Sequence, residues 1–284
     1  MFKMLFEAKT HEGHMIKILA EVLQNNIRTA SFDIYDDRIS MRMIDSQRRV
    51  LIDLSLNADD FNIYRLPVPD TFSPINEKGE RVEYKLHLGI TMSHLHKMIK
   101  SVKKNDILHM YITKEEPNKL WLKVFPKHMS RYSESFVPIQ TIQSLDIPIP
   151  GGYSHPIIIS STEFQKNLKD LCGISPHILI KMTQYEITMI SVQNDILGKR
   201  QVMGEYEVDD TEEKFNDIFI SEQLNRIYKI AGLASAVKIY AEHDLPLLIK
   251  TNVGNIGKLQ IFIKTKSQIE QEEIHLSNGI NGSL

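Results

Sequence analysis

Several patterns in the sequence could support catalysis, but each falls short of the spacing that its chemistry requires. His11-Glu12-Gly13-His14 is one residue too short to place two histidines on one helix face around zinc. Gly254-Asn255-Ile256-Gly257-Lys258 lacks both the spacing and the final hydroxyl residue of a phosphate-binding loop. Ser175-Pro176-His177 is typical of a loop, and the aspartate pairs 36–37, 59–60 and 209–210 stand at turns. The sequence therefore predicts no catalytic residue, no metal site and no cofactor.

Lysines recur on four short segments with helical periodicity. In residues 92–103 and just beyond, Lys97, Lys100 and Lys104 are spaced by three and four residues and share one helix face, with Lys103 beside them. Lysine is a hydrated point charge that suits phosphates better than base edges, so this spacing predicts sequence-independent binding to phosphate backbones. The cations that recur on these segments and would form one basic surface are Lys17, Lys97, Lys100, Lys103, Lys104, Lys166, Lys169, Arg226 and Lys229.

The elements that must position these cations are short helices on a mainly β chain. Apolar residues at helical spacing predict helices over 13–24, 92–103, 162–172 and 221–233. Alternating patterns predict three strands within 28–60 and further strands along most of the remaining chain. Those further strands are expected at 107–114, 118–125, 133–140, 156–161, 177–193, 199–208, 215–220, 236–242, 246–252 and 258–264. The expected fold class is α+β.

The four helices indicate an internal repeat. Lys17 and Lys97 lie 80 residues apart, whereas Lys166 and Arg226 lie 60 apart, and residues 67–86 form an insert of loop-like composition that accounts for the difference. We therefore expect an N-terminal domain over 1–137, an interdomain connector over 138–152, a C-terminal domain over 153–266, and a disordered tail over 267–284.

Composition bears on the partners and the cellular compartment of the protein. The formal net charge of −2 does not exclude DNA binding, because the distribution of cations over the surface matters more than their sum. No apolar run approaches the ~20 residues of a membrane helix, the first residues lack the pattern of a signal peptide, and the single cysteine fits a reducing compartment. We expect an intracellular protein without a membrane partner.

A collinear series of short strings resembles the proliferating cell nuclear antigen family of DNA sliding clamps, over about residues 5–266. In the first half these are Phe6-Glu7-Ala8, Ser31-Phe32-Asp33-Ile34, Met43-Ile44-Asp45-Ser46, Leu54-Ser55-Leu56, Phe61-Asn62-Ile63-Tyr64-Arg65, Leu88-Gly89-Ile90 and Lys97-Met98-Ile99-Lys100. Later in the chain they are Asn105-Asp106, Leu145-Asp146-Ile147-Pro148, Glu163-Phe164, Lys169-Asp170-Leu171 and Leu245-Pro246-Leu247.

The resemblance implies two similar clamp domains, each with two short helices packed on antiparallel sheets, in a closed ring of three chains. Such a ring encircles duplex DNA, which the nine cations of the basic surface would face. It serves a DNA polymerase as processivity factor, is opened by a clamp loader and docks replication and repair enzymes. The compartment would be the nucleus, or a cytoplasmic replication site for a viral protein. Alternatives are a subunit of a heteromeric checkpoint-type clamp, a viral processivity factor that does not close into a ring and, from another class, an undetected nuclease or hydrolase.

The resemblance also implies two contact surfaces. A pocket for short partner peptides would be formed by Ile44, Leu51, Leu145, Ile147, Pro246 and Phe262. The subunit interface would pair Tyr132, Ser133, Glu134, Ser135 and Phe136 of one chain with Arg200, Val202 and Gly204 of the next. Ile263-Lys264-Thr265 departs from the family pattern beside the pocket, as do Arg48 and Arg49 in a neighbouring loop, and Gln184 stands where nuclear clamps carry a modified lysine.

Overall fold

The computed structural model describes residues 3–75, 79, 81–127, 131–143, 146–204 and 213–281, with side chains as far as residue 275. The chain forms two compact units. Unit 1 comprises Met1–Met43, Ile52–Ile147 and Asn252–Leu259, and unit 2 comprises Ile44–Leu51, Pro148–Thr251 and Gln260–Leu284. The main division, at Ile147, falls inside the expected connector.

Unit 1 packs two helices on antiparallel strands. Its elements are β1 (Met4–Thr10), α1 (Gly13–Asn26), β2 (Thr29–Ile34), β3 (Arg38–Ile44), β4 (Val50–Asn57), β5 (Ile63–Arg65), β6 (Leu86–Thr91), α2 (Met92–Ile99), β7 (Ile107–Thr113), β8 (Lys119–Phe125) and β9 (Ser133–Gln140). The strand order is β4-β3-β2-β6-β9-β8-β7-β1-β5. Ile16, Leu19 and Leu23 of α1 and Leu95 and Ile99 of α2 are buried, as helical spacing predicts for the face turned to the sheet.

Unit 2 repeats the same plan. Its elements are β10 (Ile157–Ser160), α3 (Ser161–Cys172), β11 (His177–Met182), β12 (Glu186–Gln193), β13 (Leu197–Gly204), β14 (Phe215–Ile220), α4 (Ser221–Ile227), β15 (Ala236–Tyr240), β16 (Leu247–Val253), β17 (Gly257–Ile263) and α5 (Lys266–Asn281). One sheet has the order β13-β12-β11-β14, and β10, β15 and β16 are neighbours in another. Phe164, Leu168 and Leu171 of α3 pack in the core with Leu224 and Ile227 of α4.

The predicted α+β class is confirmed, with a helix in each of the four expected segments. Two boundaries differ from the prediction. Helix α2 ends at Ile99, so Lys103 and Lys104 lie in the following turn rather than on the helix. A 3-10 turn, Tyr228–Gly232, follows α4 and contains Lys229.

The strands differ from the prediction at two places. The stretch 177–193 is a hairpin of β11 and β12 rather than one strand. Strand β6 was not predicted, because its sequence adjoins the loop-like insert.

The tail provides a clear correction. Disorder was expected from residue 267, but α5 occupies Lys266–Asn281. A capping box starts this helix: Gln268 N–H donates to Thr265 Oγ1 over 3.2 Å, and Gln268 Oε1 accepts from Thr265 N–H over 3.0 Å. The side chain of Ile269 is buried, Ser267 Oγ donates to Asp217 Oδ1 of β14 over 2.9 Å, and Lys264 pairs with Glu272 over 2.6 Å.

Replacing Thr265 with alanine should destabilise α5 by about 1 kcal/mol, because the side-chain acceptor for Gln268 N–H is lost. Thr265→Ser keeps the oxygen and serves as the matched control. Circular dichroism and limited proteolysis near residues 266–275 measure the effect. Equal protease resistance in the alanine and serine variants would contradict the capping role.

Candidate functional site

The densest group of free cations in unit 1 surrounds the end of α2. Lys97, Lys100, Lys103 and Lys104 are all exposed. Within the described part of the chain, none of the four pairs with a carboxylate. The turn that carries the last two is fixed by buried Asp106, whose Oδ2 accepts from Lys103 N–H over 2.9 Å. This group offers unneutralised positive charge, as phosphate binding requires.

Lys17 on α1 differs from that group. It is half-buried, and its Nζ donates to the carbonyl oxygen of Val102 over 2.7 Å, so it ties α1 to the turn after α2. Burial lowers the pKa of His14, and the charges of Lys17 and Lys104 lower it further. His14 therefore adds no charge near neutral pH, and α1 contributes less to the basic surface than its spacing predicted.

In unit 2 the structure groups cations around an aromatic ring that the sequence analysis did not single out. The Nζ of exposed Lys169 lies 5.0 Å from the centre of the Tyr228 ring, and the Nζ of Lys229 lies 5.6 Å from the same centre. Lys166 is exposed one turn before Lys169 on α3. Arg226 pairs with Glu222 on α4, so its charge is partly offset. Lys169 of α3 and Tyr228 are far apart in the sequence, so no local sequence pattern indicates their contact.

The six predicted pocket residues have unequal exposure. Ile44 is 36% exposed, Pro246 and Ile147 are half-buried, and Leu51 is buried. Leu145 lies outside the described residues. Phe262 is only 2% exposed and packs in the core of unit 2, so its place in the pocket stays a prediction.

Tyr153 explains the burial of Phe262. Its ring centre lies 6.2 Å from that of Phe262, and its hydroxyl donates to the carbonyl oxygen of Pro246 over 2.7 Å. Burial raises the pKa of Tyr153, so its hydroxyl stays protonated and remains a donor. Tyr153 thus links two residues that the sequence assigned to the pocket.

A buried carboxylate orders the loop between β3 and β4. Asp45 Oδ1 accepts from the N–H groups of Arg49 and Val50 over 2.7 and 2.9 Å, and Arg48 adopts a left-handed φ of 57°. The carbonyl oxygen of Arg49 accepts from Lys264 N–H over 3.0 Å. Residues 263–265, which depart from the family pattern, are therefore hydrogen-bonded to this loop through Lys264, and they lead directly into α5.

The predicted subunit contacts fall on strands with distinct positions in their sheets. Residues 133–138 of β9 pair with β8, and β6 reaches only Ile139 and Gln140. Ile139 N–H donates to Asn118 on the β8 side, so the alternate N–H groups of Glu134 and Phe136 point away from β8. Phe136 and Tyr132 are exposed.

β13, which carries Arg200, Val202 and Gly204, is the terminal strand of its sheet. Gly204 has a φ of +124°, and a Cβ there would lie 2.2 Å from the carbonyl oxygen of Tyr185. Glycine is therefore required at 204 by the backbone of the chain itself. The carboxylate of Glu134 is likewise engaged within the chain, by Lys123 over 2.9 Å and by the hydroxyl of Tyr111.

Metal binding and membrane insertion are two other functions on which the described residues bear. No cluster of three or more histidine, cysteine, aspartate or glutamate side chains there could hold a metal ion. None of the described helices is both long and apolar enough to cross a membrane.

Paired units, each with two short helices on antiparallel strands, define the class of two-domain clamp folds. The family description for the N-terminal domain of proliferating cell nuclear antigen matches residues 5–73, and that for its C-terminal domain matches residues 149–266. The chain belongs to the proliferating cell nuclear antigen family.

Individual relatives agree with this assignment. The chain is 21% identical over 267 residues to the probable DNA polymerase sliding clamp 1 of Paramecium bursaria Chlorella virus 1, covering 91% of this chain and 96% of the relative. It is 21% identical over 272 residues to the proliferating cell nuclear antigen of Chaetomium thermophilum, covering 92% and 98%. The crystal structure of the Entamoeba histolytica protein of this family matches with a TM-score of 0.77 at 21% identity, covering 93% of this chain and 99% of that one.

Proposed function

We infer that this protein is a DNA sliding clamp that encircles duplex DNA and acts as the processivity factor of a DNA polymerase. The observation that carries this function is the group Lys97, Lys100, Lys103 and Lys104, exposed and unpaired in a chain of net charge −2. Lys166 and Lys169 provide the equivalent charge in unit 2. Point charges of this kind hold a duplex by its phosphates in any sequence, which suits a protein that must move along DNA. The protein works as a scaffold rather than as an enzyme.

The ring is proposed to be a homotrimer that a clamp loader opens. The outward N–H groups of Glu134 and Phe136 on β9 and the terminal position of β13 support strand pairing between chains. In a heteromeric ring these strand edges would pair with a different chain. In a processivity factor that does not close into a ring they would pair with no other chain. The mass in solution distinguishes three chains from one.

Partner enzymes are proposed to dock through a short peptide with aliphatic and aromatic anchors. Ile44, Ile147 and Pro246 are the described members of the predicted pocket that retain accessible surface. Tyr153 and Phe262 support Pro246 from the core of unit 2. The protein is proposed to act at a replication site, in the nucleus or, for a viral protein, in the cytoplasm.

Replacing Lys97, Lys100, Lys103 and Lys104 together by alanine should weaken DNA binding and flatten its dependence on salt. Each lysine that contacts a phosphate contributes about 0.9 to the slope of log affinity against log salt. Fluorescence anisotropy with a labelled duplex at several salt concentrations measures this slope, and extension of a primed circular template by the polymerase measures the functional result.

The matched control replaces four exposed lysines that lie on or beside strands, namely Lys3, Lys114, Lys238 and Lys258. The change in net charge is the same in both variants. If the two variants showed equal slopes, the group around α2 would have no special part in binding DNA.

A further inference from the structure

One backbone carbonyl of the interdomain connector is held by an arginine of unit 1. Arg42 lies on β3, and its Nε donates to Asp53 Oδ1 on the neighbouring β4 over 2.8 Å. Its Nη1 donates to the carbonyl oxygen of Ile147 over 3.1 Å. The carboxylate fixes the plane of the guanidinium, which then presents a second donor to the connector.

A histidine holds a second carbonyl of the connector. His87 lies on β6, with its Nδ1 2.7 Å from Asp33 Oδ1 on the neighbouring β2 and its Nε2 2.8 Å from the carbonyl oxygen of Ile142. Ser31 Oγ is 3.3 Å from the same Nε2. The ring of His87 therefore bridges a carboxylate of β2 and a carbonyl of the connector.

The charge of Asp33 is stabilised in this arrangement. Burial disfavours the carboxylate, but hydrogen bonds from His87 and from Lys85, whose Nζ lies 2.9 Å away, hold the pKa of Asp33 below its usual value. Asp33 therefore remains an ionised acceptor near neutral pH.

Both attachments have the same construction. In each, a carboxylate on one strand orients a nitrogen-bearing side chain on the adjacent strand, and that side chain contacts a carbonyl of the connector. The four strands are consecutive in the order β4-β3-β2-β6. The attached carbonyls belong to Ile142, at the middle of the part of the connector that lies in unit 1, and to Ile147, at its end.

We propose that Arg42 and His87 are positioning residues that hold the connector in the conformation that receives a partner peptide. This inference rests on the peptide docking proposed above. A connector ordered before binding avoids the entropic cost of being ordered during binding, and this increases affinity.

Arg42→Gln tests the first attachment, with Arg38→Gln as its matched control. Arg38 lies on the same strand with similar exposure, but it pairs with Asp37 and Glu83 instead of the connector. Hydrogen–deuterium exchange of the full-length protein should be faster at residues 141–143 and 146–147 in Arg42→Gln only. The probe is a fluorescein-labelled synthetic peptide with one aliphatic and two aromatic anchors, a blocked N-terminus and no histidine. Its Kd should rise about tenfold, the effect of losing one charge-assisted hydrogen bond.

His87→Phe tests the second attachment, because it keeps a ring but removes both nitrogens that contact Asp33 and Ile142. His109→Phe is its matched control, since His109 contacts Glu7 instead of the connector. Hydrogen–deuterium exchange should be faster at residues 141–143 in His87→Phe only, and the Kd of the probe should rise about tenfold. A merely structural role for His87 would change exchange throughout unit 1 rather than at the connector alone.

The outcomes separate this proposal from the function on which it rests. Equal exchange in Arg42→Gln and Arg38→Gln would overturn the attachment. Faster exchange at the connector with unchanged peptide affinity, in Arg42→Gln or in His87→Phe, would overturn the positioning role. If the wild-type protein bound no peptide of this class, peptide docking itself would be wrong and the positioning role would fall with it, although exchange would still show whether the connector is held.

Discussion

Replacing Phe262 with alanine should lower the free energy of unfolding by about 3–5 kcal/mol. The side chain is 2% exposed, packs beside the ring of Tyr153, and belongs to the run Ile261-Phe262-Ile263 that is buried at the end of β17. Removing the ring would leave a cavity that these strand residues cannot close. Urea denaturation followed by fluorescence measures the loss.

Ile44→Ala is the matched control for Phe262→Ala. Both positions resemble the family pocket, but Ile44 is 36% exposed, so its truncation should change stability by no more than about 0.5 kcal/mol while weakening peptide binding. If Phe262→Ala unfolded at the wild-type urea concentration and lost only peptide binding, Phe262 would be a surface contact after all.

Replacing Phe136 with proline should convert the proposed trimer to single chains. Proline removes the N–H that points away from β8, so a strand from the next chain would lose a backbone hydrogen bond at the centre of the proposed interface. The pairing of β9 with β8 uses the alternate N–H groups, so the fold of the chain should remain intact. Analytical ultracentrifugation should show a threefold lower mass.

Phe136→Ala separates the backbone effect from the side-chain effect. It removes the exposed ring and its contact with Trp121 but keeps the N–H group. We expect this variant to remain largely trimeric. A trimer in Phe136→Pro, with unchanged mass at low protein concentration, would exclude pairing along this edge of β9.

The positions of the helices could be predicted because amphipathic spacing is a local property. The end of α2 could not, because residues 100–104, Lys-Ser-Val-Lys-Lys, contain neither glycine nor proline and carry no stop signal. The helix ends where Val102 turns into the core and Asp106 fixes the following turn, and both are tertiary effects. The tail was misjudged for the opposite reason: the polar, glycine-containing end of the chain outweighed the capping box at Thr265 and Gln268.

The sequence could propose candidate residues but could not show the state of their side chains. Spacing identified the lysines of α2, and exposure agrees with it. It could not show that Lys17 is bound to Val102 or that Phe262 is covered by Tyr153, because these partners are 85 and 109 residues distant. His87 and Arg42 had no motif at all, since their role depends on a connector that reaches them only in the folded chain.

Helix α5 makes the two ends of the four-stranded sheet of unit 2 unequal, because it lies against one terminal strand and not the other. A sheet has two terminal strands, and a chain with both ends open could add neighbours on either side and form fibres instead of closed assemblies. Here β14 is one terminal strand, and α5 lies against it with Ser267 bonded to Asp217, whereas β13 forms the other end. The C-terminal helix therefore lies at one of the two ends where another chain could add a strand, and β13 is left as the open end.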